Sequence, residues 1–72
     1  MLDNNLHNDS LLIDMLGGTA VVSRIFNVKM PTVSYWRKNG IPEARMMYLE
    51  VQYKSIVKKY LEELSDDKYK QQ

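Results

Sequence analysis

The sequence predicts an all-α fold, a small helical bundle of four to five short helices. Three observations point to it. Apolar residues recur at intervals of three and four in separate short windows, the spacing of one helix face. Between these windows stand the residues that break helices: Gly17-Gly18, Asn27, and Asn39-Gly40 followed by Pro42. The chain has 72 residues, enough for one domain at most. A domain of that size buries only about 60% of its unfolded surface and is marginal without a ligand, a metal or a partner subunit.

Residues 1–8 are polar, with Leu2 and Leu6 alone among them, and read as a flexible arm. Asp9 or Ser10 can cap a first helix of about two turns, since a short oxygen side chain accepts the free amides of the first turn. Leu11, Leu12, Met15 and Leu16 form its apolar face, and Gly17 and Gly18 end it. A second helix of about eight residues opens at Gly18 or Thr19 and carries Val21, Val22, Ile25 and Phe26. Asn27, tolerant of the left-handed region, closes it, and Val28 offers an apolar plug. A third helix begins near Lys29, with Pro31 in the first turn, where a missing N–H costs nothing. Val33 and Trp36 face inward together, three residues apart. Asn39-Gly40 ends this helix. Ile41 is held extended by the proline after it, and Pro42 takes the first position of a fourth helix, with Glu43 matched to the helix dipole. Ala44, Met46, Met47 and Leu49 supply its apolar contacts.

Beyond Val51 two readings stand. Ile56, Val57, Tyr60, Leu61 and Leu64 keep helical spacing, which gives a fifth helix over about Ser55–Leu64. Alternatively Glu50 to Val57 is extended, because Val51, Tyr53, Ile56 and Val57 are β-formers. The domain on either reading covers 9–64, and 65–72 is a polar tail.

Charge and composition narrow the function. There is no cysteine, so disulfides and thiolate metal sites are excluded. No apolar run spans a bilayer and the start of the chain lacks the pattern of a signal peptide, so no membrane association and a cytoplasmic location are expected. The net charge of +1 conceals an uneven distribution. Residues 1–18 hold Asp3, Asp9 and Asp14 and no base. Residues 19–59 hold Arg24, Lys29, Arg37, Lys38, Arg45, Lys54, Lys58 and Lys59 against Glu43 and Glu50. Residues 60–72 are acidic again. A basic middle suits a polyanion, although charge alone favours a solvated helical face.

The segment from Thr19 to Lys38 matches the helix-turn-helix plan: two short helices, a turn of three to four residues, and a second helix with a polar outer face. Ser23 is the small residue where the helices approach, Asn27 takes positive φ, and Val28, Val33 and Trp36 are the apolar set. Together with Leu16-Gly17-Gly18-Thr19, Val33-Ser34-Tyr35-Trp36-Arg37, Gly40-Ile41-Pro42-Glu43-Ala44-Arg45 and Leu49-Glu50, this stretch resembles the Cro-like repressors of lambdoid phages and related prophage Cro-like regulators. The resemblance covers roughly residues 11–51. Asn27 stands where glycine is usual, and Met30 and Pro31 stand where polar residues are common.

The resemblance implies a sequence-specific transcriptional repressor whose recognition helix enters the major groove of double-stranded DNA. It implies a homodimer on a palindromic operator; a small interface would leave pairing to the DNA. Carried over by position, Met30, Pro31, Ser34 and Tyr35 face the bases. Thr19, Lys29, Thr32, Arg37, Lys38, Asn39 and Arg45 face phosphates. Lysine and arginine release counterions from phosphate, and Met30 or Pro31 can pack on a thymine methyl. Trp36 reads as a core anchor, His7 as a solvated arm residue, and the five methionines as flexible filler. The alternative function is an antitoxin-like or adaptor protein that binds a partner protein through its helical core. An enzyme is not expected, because Thr19, Ser23 and Ser34 lack an accompanying base and acid. No cofactor, metal or small-molecule substrate is expected.

Overall fold

The computed structural model describes the backbone of residues 6–70 and the side chains of residues 6–65. The protein is all-helical, with α1 Asp9–Leu16, α2 Thr19–Phe26, α3 Met30–Asn39, α4 Glu43–Gln52 and α5 Lys54–Lys70. Helix α1 is central: it packs on α2, α3 and α5, while α2 pairs with α3 and α4 with α5.

The breaks fall where backbone chemistry requires them. Gly17 has φ +126°, and a Cβ there would approach Val21 Cγ2 to 3.0 Å, so glycine serves both the turn and the close passage of α2. Asn27 is left-handed at φ 56°, ψ 47°, and the next amide, Val28 N–H, donates to Ser23 O at 2.9 Å. Lys29 is extended ahead of α3, and Pro31 occupies its first turn. Neither Asp9 nor Ser10 caps α1: Asn8 precedes the helix, and both expected caps lie buried within it. Pro42 likewise stands just before α4 rather than at its first position.

Leu12, Ile13, Leu16, Val22, Val33, Trp36, Ile41, Leu49, Val57 and Tyr60 form the core. At about 1.5–3 kcal/mol for each large apolar side chain buried, these residues outweigh any single polar contact. Trp36 packs edge-on against Phe26, with ring centroids 5.6 Å apart, and Phe26 meets Tyr48 at 5.5 Å. Ala44 and Met47, expected to contribute, are exposed; Leu49 and Met46 make the contacts of α4.

The extended alternative for Glu50–Val57 does not hold, and the fifth helix is longer than Ser55–Leu64. Tyr53, Ile56, Val57, Tyr60 and Leu64 make one stripe against the core only when the segment is helical. A lone strand would leave its backbone groups without a ladder partner. Residues 65–70 continue α5, so this part of the expected tail is helical. Residues 1–5 and 71–72 of the expected arm and tail lie outside the described residues.

His7 is exposed, as expected, but its backbone and ring are held in place. Its N–H donates to Arg37 O at 2.7 Å, its Nδ1 accepts from Asp9 N–H at 2.9 Å, and its ring lies against Gly40. Beside it, the buried Asp9 carboxylate accepts Ile41 N–H on Oδ2 at 2.8 Å and the Tyr60 hydroxyl on Oδ1 at 2.5 Å. One side chain thereby joins α1, the α3–α4 junction and α5. No helix among the described residues is long and apolar enough to cross a membrane.

Candidate nucleic-acid interface

Helix α3 divides its residues between two tasks. Val33 and Trp36 are buried and fix its inner side. On its outer side Met30, Pro31, Ser34, Tyr35 and Lys38 surround one open concavity of about 500 Å³. All five are exposed, Tyr35 to 64% and Met30 to 49%. The four residues expected to face bases are therefore brought together. Lys38 joins them, although the sequence reading assigned it to phosphate. Its position was legible, since 31, 34, 35 and 38 form a single helical stripe.

The residues expected at phosphates divide differently. Lys29 and Lys38 are exposed at the two ends of the outer face. Arg37 is turned inward. Its Nε donates to Thr19 Oγ1 at 2.8 Å, its Nη1 to Ser10 Oγ at 2.7 Å and Ser10 O at 3.2 Å, and its Nη2 to Asp14 Oδ1 at 2.8 Å. The donors of its planar fork thus tie α3 to α1 and α2. Arg37 and Thr19 were expected to contact DNA. In this structure they bond to each other, because Arg37 faces back toward α1 where Asp14 offers the opposite charge. Asn39 Nδ2 donates to Tyr35 O at 3.0 Å, one turn back on the same helix. The Arg45 guanidinium lies 5.3 Å from the centre of the Phe26 ring, a cation–π contact. Thr32 is half-buried.

Packing behind α3 fixes its position. Ser23 is buried where α2 and α3 approach, and its hydroxyl donates to Ala20 O at 2.8 Å, so the small polar side chain leaves no orphan. Val28 packs on the core at the turn. The electrostatics of this half of the molecule are one-sided: from Met15 to Pro42 there is no acid, while Arg24, Lys29, Arg37 and Lys38 carry positive charge. Of the two acids that flank this segment, Asp14 and Glu43, Asp14 is held by Arg37.

Sequence reasoning missed Arg37 as a framework residue. Its signal was weak: a basic residue directly after Trp36 in the sequence, within a helix that must cross α1. Comparison of the chain with protein-family models, curated proteins and solved structures finds no match.

Proposed function

We propose that this chain is a sequence-specific DNA-binding protein, a transcriptional repressor of Cro type that lays α3 in the major groove of a palindromic operator. The observation that carries this reading is the outer face of α3. It presents a compact group of side chains on a helix anchored from behind by Val33, Trp36 and Arg37, in a segment that has bases and no acid. A helix offered in this way fits the width of the major groove, and Lys29 and Lys38 at its ends suit the flanking phosphates.

Pairing two copies extends the reading, because a single helix contacts few base pairs and each is worth only about 1–3 kcal/mol. Among the apolar residues of α4 and α5 that could pair two copies, Tyr60 is buried and Tyr53, Ile56 and Leu64 are half-buried against the core. Tyr48, Val51 and Leu61 remain exposed and can serve a second copy. Selection of bound sequences from a pool of random duplexes tests the function. A palindromic consensus with half-sites about one helical turn apart is expected. Recovery of no consensus, with binding indifferent to salt, would refute it.

A further inference from the structure

We infer that the outer face of α3 identifies its site through the C5-methyl group of thymine, received against Met30, Pro31 and the ring of Tyr35. The inference rests on the DNA-binding reading and names the chemical feature that this face recognises.

The argument begins with side chains that are absent from the face. Two-point recognition of guanine comes mainly from Arg or Lys and of adenine from Asn or Gln, and cytosine is read by an acid that accepts from its amino group. Helix α3 contains one arginine and one asparagine, both hydrogen-bonded within the chain and both beyond the N-terminal end that meets the base edges. Arg37 bonds Thr19, Ser10 and Asp14, and Asn39 bonds the Tyr35 carbonyl. No acid lies between Met15 and Pro42. The polar atoms left on the face are the Ser34 hydroxyl, the Tyr35 hydroxyl and the Lys38 ammonium. Lys38 can bond a guanine edge near the C-terminal end of α3, whereas the hydroxyls can make single bonds to several base edges and so discriminate little on their own.

What the face does offer is apolar surface. Met30 and Pro31 sit at the N-terminal end of α3, the end of a recognition helix that meets the base edges. Met30 is half-exposed, and its unbranched thioether can adjust to a small rounded group. Tyr35 lines the same concavity. The apolar feature that base pairs present in the major groove is the thymine methyl. Charge selects the same occupant over an apolar patch on another protein: Lys38 lines the concavity and Lys29 is exposed just before α3, and a polyanion satisfies both while its base edge covers the apolar surface.

The experiment uses the duplex recovered by selection and measures affinity by fluorescence anisotropy. Deoxyuridine replaces each thymine in turn, which removes one methyl and keeps every hydrogen-bonding group. At one or two thymines per half-site, affinity is expected to fall about fourfold for each methyl, the loss from exposing one buried carbon. Replacing the same thymine–adenine pair by cytosine–guanine should weaken binding, and 5-methylcytosine should recover part of the loss. Met30→Ala, a change at an exposed position, is expected to reduce the deoxyuridine penalty, since Pro31 and Tyr35 remain.

Tight, salt-dependent binding of a selected site that ignores deoxyuridine at every position would overturn the methyl inference and leave the DNA-binding reading standing. Met30→Ala retaining the full deoxyuridine penalty would remove Met30 from the assignment and overturn the inference as stated. Failure to bind any duplex would overturn both readings, and saturable binding of a protein partner at the same face would then replace them.

Discussion

The Asp9–Tyr60 bond allows a quantitative test of how this small bundle holds together. Both residues are buried, Tyr60 to 3% exposure and Asp9 to 7%, so neither can exchange its partner for water. Tyr60→Phe removes a hydroxyl that donates to a carboxylate, a bond worth about 1.5–3 kcal/mol. Asp9→Ala removes the acceptor of two donors, the Tyr60 hydroxyl and Ile41 N–H. Leaving each donor unsatisfied costs about 1–3 kcal/mol, and relief from burying a charge offsets part of the total. Both changes are large beside the roughly 4–11 kcal/mol that a chain of this length has in all. Once Asp9 is gone the tyrosine hydroxyl has lost its acceptor, so Tyr60→Phe on the Asp9→Ala background should cost close to nothing. The coupling energy is then about 1–3 kcal/mol. Urea unfolding followed by circular dichroism and by Trp36 fluorescence measures all four corners of the cycle. Additive effects, with Tyr60→Phe equally costly on both backgrounds, would refute the bond as an energetic link.

Four further outcomes follow from the same geometry. Trp36→Ala should destabilise by about 3–5 kcal/mol in thermal or urea unfolding, because it empties the space between Phe26 and the core. Burial, the hydrogen bond to Asp9 and the Asp9 charge all push the Tyr60 phenol well above its usual value near 10. Its contribution to stability is therefore complete below about pH 10 and lost as pH rises through the raised folded value. Melting temperatures measured above pH 10 should fall more steeply for the native chain than for Tyr60→Phe. Lys29→Ala and Lys38→Ala should each lower the slope of log affinity against log salt by about 1, whereas Arg37→Ala should leave that slope unchanged and reduce unfolding stability by about 1–3 kcal/mol. Val51→Asp, at a position 71% exposed, should leave the monomer folded yet weaken binding to the full operator on the order of tenfold, with half-site binding unaltered.

The first four helices were legible because their boundaries are written in backbone chemistry. Gly17, Asn27, Pro31 and Gly40 each permit or forbid particular φ values, and these limits act locally whatever the rest of the chain does. The α4–α5 boundary carries no such mark. The chain turns at Tyr53, with φ −128° and ψ 46°, and what decides between strand and helix there is the packing of Ile56, Val57 and Tyr60 on distant residues. The candidate site shows the same division. The outer stripe of α3 follows from helical period alone. That Arg37 turns inward depends on Ser10 and Asp14, which lie 27 and 23 residues away. Asp9 read as a cap for the same reason: its partners, Ile41 and Tyr60, are 32 and 51 residues distant.

These separations also imply an order of assembly. The bond between Arg37 and Thr19 closes a segment of 18 residues, and that between Asp9 and Tyr60 one of 51. Chain-closure entropy grows with the logarithm of length, so the longer closure costs about 0.9 kcal/mol more before any contact repays it. The α2–α3 pair, held by the short closure, is placed to form while α5 is still searching. In the reverse direction α5 detaches first, and hydrogen exchange should be faster along α5 than in α2 and α3. The half of the molecule that carries the outer face of α3 would then be the last to lose its shape.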